Sequence, residues 1–205
     1  VAAHGNVVCA TYMSDQDDAG LLPNTVEAKS LPDPSLKQWH PAAYPNGVPP
    51  YPKLLAACNG LGVVTHLTDP DGVMRHYGLV VKCQGKIYPS LALAMAMRQD
   101  NLSSESIGVA PGGGCLLDDR VVPVTAHGEL LLDFPGRLHR VISAADLLLS
   151  LKARLEGDEP EILPEDLAGK VVIVGSTATG VQADRIATPL GGAVPGVHVH
   201  AAALD

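Results

Sequence analysis

Apolar and polar positions divide the chain into unequal stretches. Residues 5–13 carry Val7, Val8, Cys9, Ala10, Thr11 and Tyr12, a short run of β type. Residues 14–50 break that pattern, with Pro23, Pro32, Pro34, Pro41, Pro45, Pro49 and Pro50 set among Asp, Asn and Ser. Such a composition predicts a long loop, and loops of that length in a compact domain are usually functional or mobile. Residues 51–58 predict a short helix. Residues 61–67 and 73–81 predict the two strands of a hairpin, joined at Thr68-Asp69-Pro70-Asp71-Gly72. In that turn Pro fixes φ and Gly accepts a left-handed conformation. Along the second strand Val73, Arg75, Tyr77, Leu79 and Val81 share one face, the alternation of a half-buried antiparallel strand.

Pro89 opens a predicted helix running through Met97, since its missing N–H falls where no intrahelical bond is made. The three glycines at 112–114 mark a turn, and strands are predicted at 120–125 and 128–133. Ser143, with Asp146 three residues on, reads as a helix N-cap. The helix after it places Asp146, Ser150 and Arg154 on a polar stripe and Ala144, Leu148, Leu151 and Leu155 on an apolar one. After Lys170, the β-branched run Val171-Val172-Ile173-Val174 suits a strand buried on both faces of a parallel sheet. Gly175-Ser176-Thr177-Ala178-Thr179-Gly180 follows as a loop at its carboxyl end. Beyond Pro189, Pro195-Gly196 precedes a strand-to-helix segment through His200. There is no internal repeat. This mixture predicts an α/β fold: a mixed sheet flanked by helices, one domain over 1–205 with the Pro-rich loop at 14–50 inside it.

Composition narrows the function classes. Aromatic residues are only 3% of the 205, so the core is aliphatic. The net charge of −8, with no basic block, argues against a nucleic-acid partner. No stretch reaches the roughly 18 apolar residues of a membrane span, and Val1-Ala2-Ala3-His4 does not open a signal peptide. A strand-like run so near the start, and a helix start interrupted at Asp205, make the chain read as a piece of a longer protein. Cys9, Cys58, Cys83 and Cys115 form no C-x-x-C pair. Three disulfide pairings are open to them, and the residues read as four small buried hydrophobes.

The candidate chemistry is thin. The glycines at 175 and 180 expose backbone N–H groups, yet neither a Lys-Ser/Thr pair nor G-x-G-x-x-G is present, so a tight turn is expected there. Asp69, Asp71 and Asp184 form a possible carboxylate cluster, but the terminal Glu of a calcium loop is missing, and the first two are expected to cap the turn. His198 and His200 are two imidazoles without a third ligand nearby in sequence, so no metal is expected. Ser176, Asp184 and His200 stand too close in the chain for a hydrolase triad, and there is no G-x-S-x-G elbow. No catalytic residue and no cofactor is assigned.

Five ordered blocks carry a resemblance. They are Asp69-Pro70-Asp71-Gly72-Val73-Met74-Arg75; Tyr88-Pro89-Ser90-Leu91-Ala92-Leu93-Ala94; Lys170 through Gly175, Ser176, Thr177 and Ala178; Asp184 with Thr188-Pro189; and Pro195-Gly196-Val197-His198-Val199-His200-Ala201. Over about residues 58–205, with weaker support at 5–13, this set resembles the type-two CHASE domain, the extracellular sensory module associated with cyclases and histidine kinases. The resemblance implies an extracytoplasmic domain of a bacterial membrane receptor. It sits between one membrane helix and a following group of membrane helices, both outside this chain, with a cytoplasmic cyclase or kinase output. The family's opening section, a strand, an acidic segment and a helix, is not found before residue 5. No family ligand is carried over, so the partner is an unspecified small-molecule or protein signal, and a homodimer is open.

Architecture accounts for most motif residues: Asp69, Asp71, Gly72 and Arg75 at the turn, Pro89, Gly175, Pro189, Pro195, Gly196 and His200. For ligand contact, the rule that open α/β sheets bind at the carboxyl ends of their strands selects Ser176, Thr177, Thr179 and Asp184. The competing readings are a structural dimerisation module without a ligand and, behind it, a small α/β hydrolase.

Overall fold

The computed structural model describes residues 5–16, 20–32, 34–134, 139–177 and 184–205. Its first third holds β1 (Val8–Ser14), α1 (Asn24–Glu27), a 3-10 turn at Pro34–Trp39, β2 (Ala43–Tyr44), β3 (Asn46–Val48), α2 (Pro52–Ala57) and β4 (Gly60–Val63). β1 is paired on both edges, antiparallel to β3 and parallel to β4. The Pro-rich loop is therefore pinned. Leu22, Val26 and Tyr44 enter the cluster built on Met13, Leu61, Val63 and Tyr88. Leu31, Leu36 and Trp39 enter a second one with Leu79, Ile87, Leu93 and Ile107. Trp39 is 2% exposed, and its indole N–H donates to the Gly113 carbonyl at 3.0 Å.

The middle of the chain forms β5 (His76–Gly78), β6 (Val80–Cys83), β7 (Lys86–Pro89), α3 (Leu91–Gln99), β8 (Ile107–Val109), β9 (Cys115–Leu117), β10 (Arg120–Val122) and β11 (Glu129–Leu131). Pro89 ends β7, and Ser90 caps α3, its hydroxyl accepting from Leu93 N–H at 3.3 Å. Leu91 to Met95 are all buried. α3 packs so closely on β4 that a Cβ on Gly62 would stand 2.5 Å from Leu91 Cα. The rest is α4 (Ala144–Glu156), α5 (Pro164–Leu167), the ribbon β12 (Arg185–Ala187) with β13 (Ala193–Pro195), and α6 (Gly196–Ala202). The fold is α/β with mixed pairing, divided into small sheets ordered β3-β1-β4, β2-β6-β7, β10-β9-β8, β11-β5 and β12-β13.

Several expectations are corrected. The predicted hairpin over 61–81 does not form. β4 pairs with β1 instead, and Thr65 Oγ1, bonded to both Met13 N–H and Met13 C=O, carries that contact onward. The return segment pairs through β5 with β11. Residues 171–174 form no strand: Val171, Val172 and Val174 are 43%, 55% and 91% exposed, and no described strand lies along them. α4 turns the opposite way from its predicted stripes. Ser150 is its one buried residue and accepts from Ile162 N–H, while Leu148, Leu151 and Leu155 face water. Finally, Cys9 and Cys58 are joined by a disulfide with Cα atoms 6.0 Å apart, and Cys83 and Cys115 are buried free thiols. Two cysteines are thus a staple between β1 and the end of α2, a distance that only the parallel β1–β4 pairing creates.

Candidate functional site

The turn at 69–75 is the first part of the site. Gly72, at φ 79°, closes it, with Gly72 N–H donating to Asp69 C=O at 2.8 Å. Arg75 lies 2.9 Å from Asp71 Oδ2 and 3.5 Å from Asp69 Oδ2. Asp69 also meets His76 Nδ1 at 2.7 Å. Burial acts to raise the Asp69 carboxyl, but the bonds from His76 and Arg75 outweigh it and hold its pKa below the usual carboxylate value. The hydrogen bond from Arg75 lowers Asp71 in the same way, and Asp71 in turn raises Arg75.

The segment after this turn is tied to the C-terminal ribbon. Met74 N–H donates to Ala187 C=O at 2.8 Å, and Leu132 N–H to Arg75 C=O at 2.8 Å. Met74, Tyr77, Ala92, Leu132, Ile186 and Val199 form a third buried cluster. At its centre Tyr77 Oη lies 2.8 Å from His200 Nδ1, both side chains buried. Ala92 N–H donates to the same Tyr77 oxygen at 3.3 Å. The Ser90 side chain is a further partner of this hydroxyl, and the tautomer of His200 sets which of Tyr77 and His200 donates. The His66 ring stands edge-on to His200, centroids 6.2 Å apart. Desolvation, with His66 adding to it, holds His200 down at about 4, and burial pushes Tyr77 up to about 12.

The residues selected for ligand contact are brought together only in part. Asp184 lies against the first residue of α6, where a Cβ on Gly196 would collide with Asp184 Oδ1. A Cβ on Gly175 would approach Val197 Cβ to 2.9 Å, so the 171–177 segment reaches the same helix start. Ser176 and Thr177 are exposed beside it, and Thr179 lies outside the described residues. Without a strand at 171–174, the carboxyl-end rule that selected these residues loses its footing. His198 and His200 lie two apart on a helix rather than a strand, so they do not share a face. His200 is also unsuited to a triad, being 5% exposed and bonded to Tyr77. Pro189 lies in the turn between β12 and β13, and Pro195 ends β13 directly before α6.

Sequence reasoning missed the Tyr77–His200 bond, because 123 residues separate the partners. Their only signal is a Tyr on the apolar face of the predicted 73–81 strand and a His in the last block. It also missed a depression of about 310 Å³ lined by Gln38, Trp39, Gly113, Val124 and Thr125. Among the described residues no group of three or more His, Cys, Asp or Glu is placed to hold a metal ion. No helix there is long and apolar enough to cross a membrane.

Four of the five sequence blocks thus build one corner: the acidic turn, the start of α3, the β12–β13 ribbon and α6. The CHASE2 domain model matches residues 3–205, and the chain belongs to that family of extracellular sensory domains. The match takes in the Pro-rich loop as well as the blocks. The searches of curated proteins and of solved structures return no match.

Proposed function

We propose that the chain is the signal-input domain of a bacterial membrane receptor, held outside the cytoplasm and controlling a cyclase or kinase output inside. The observation that carries this reading is the family match over residues 3–205. Membrane helices beyond this chain join the domain to the bilayer. A small-molecule or protein signal favours one of two conformations of similar energy, and the change leaves the domain through its last helix. Asp184 against Gly196, and Gly175 against Val197, support the start of α6 as the place of contact, with Ser176 and Thr177 exposed beside it.

The alternative is a structural dimerisation module with no ligand. The exposed leucines of α4, Leu148, Leu149, Leu151 and Leu155, are the observation on its side. Native mass spectrometry before and after denaturation separates the two. A discrete mass lost on denaturation supports the sensor and gives the class of its ligand. A bare dimer at every concentration supports the structural module and removes the small-molecule reading.

A further inference from the structure

We propose that the buried Tyr77–His200 pair, with His66 edge-on to it, is an acid-sensitive latch that holds α6 against the body of the domain. The inference does not depend on the sensor reading, although it would supply that reading with one physical input.

Its ground is geometric. His200 sits on the helix that closes the chain, and its ring is fixed by a hydrogen bond to β5 rather than to its own helix. That bond serves a neutral ring in either tautomer. Ala92 N–H and the Ser90 side chain also bond the Tyr77 hydroxyl, and Nδ1 either accepts from that hydroxyl or donates to it, according to the ring's tautomer. A second proton, on whichever nitrogen lacks one, makes this buried ring a cation beside a buried phenol. No compensating charge is at hand. Among the described residues His200 has no carboxylate partner, and the ionisable group whose field it feels is another imidazole, His66. His66 Nδ1–H donates to Val64 C=O at 2.9 Å, which fixes that ring beside His200.

The other charged groups on the elements around α6 are engaged elsewhere. Arg98, on α3, donates to Gly5 C=O; Arg185, on β12, to Ala193 C=O. Asp184 lies at the first residue of α6. His198, on α6 itself, is held below its ordinary value by burial first and by His139 second. Protonating His200 therefore places an unpaired charge beside a closed apolar cluster, on which its helix packs through Val199.

The sign follows from the depressed pKa. The undocked ring, near its ordinary value of 6.5, takes the proton before the docked ring at about 4 does. Docking is at full strength above about pH 6.5 and weakens as pH falls toward about 4.

The test is hydrogen–deuterium exchange of the intact chain from about pH 7 to about pH 4.5, corrected for intrinsic rates. The α6 amides are expected to gain opening by up to roughly tenfold per pH unit, while β6 and β7 keep their protection. His200→Gln, which still accepts from Tyr77, is expected to abolish that slope. Unchanged α6 protection in the native chain, or an equal slope in His200→Gln, overturns the latch. Should His200→Gln not fold, NMR titration of the native imidazoles decides. His200 titrating well below its ordinary value supports the latch, and titration at or above that value overturns it.

Discussion

Tyr77 shows how much one residue carries in this fold. Its ring fills the third cluster, its oxygen takes the Ala92 N–H, and its hydroxyl serves His200. Tyr77→Phe keeps the ring and leaves both partners buried without their bond, a cost of about 1–3 kcal/mol. A urea titration at neutral pH is expected to show that loss with an unchanged slope. Asp69 gives a second prediction, with its own pH window. Its folded pKa lies below the ordinary 3.8, so an unfolded chain takes up this proton first. The stability it contributes is intact above 3.8 and is lost as pH falls through the lower folded value. Asp69→Asn should flatten this part of the acid limb in denaturation midpoints measured from about pH 5 downward, and leave the His200 region above it in place.

Elements were legible where the information is local. β1, α2, the cap at Ser143, the triple-glycine turn and the strands at 120–122 and 129–131 follow from run length, turn residues and capping chemistry. Which strand pairs with which was not local. The 61–67 segment has the composition of a hairpin arm, yet Thr65 and β4 serve β1, some fifty residues away. The facing of α4 was equally illegible, because periodicity shows that Leu148, Leu151 and Leu155 share a stripe and not what covers it. The site was legible in its motif residues and not in its bonding. The disulfide belongs to the same class. Cys9 and Cys58 look like ordinary small hydrophobes until the parallel pairing brings their Cα atoms to 6.0 Å. At a sequence separation of 49, the crosslink restricts the unfolded chain by about 2–4 kcal/mol. Reduction, or the Cys9→Ala/Cys58→Ala double variant, should lower the thermal midpoint by an equivalent amount, and dithiothreitol should then have no further effect on the variant.

Across the whole molecule, apolar surface is unevenly distributed. Three clusters are closed, while α4 and residues 171–174 present Leu148, Leu149, Leu151, Leu155, Val172 and Val174 to water, each more than half exposed. The valine run also leaves backbone donors and acceptors without a described neighbouring strand. Apolar surface of this kind in purified, isolated chain has only other copies of itself to cover it, so self-association is expected. Opposing that is the net charge of −8, which keeps copies apart at low ionic strength and is screened within about 8 Å at 0.15 M salt. Association measured by sedimentation velocity should therefore strengthen as salt is raised, the reverse of what ion-paired contacts would give. The triple variant Leu148→Lys, Leu151→Lys, Leu155→Lys should sediment as a monomer at every salt concentration. It should also keep the thermal midpoint within about 1 kcal/mol equivalent, because these side chains leave no cavity when replaced. A large loss of stability instead would mean that the leucines are already covered within one copy, and that the facing of α4 in solution is the one its sequence stripes predict.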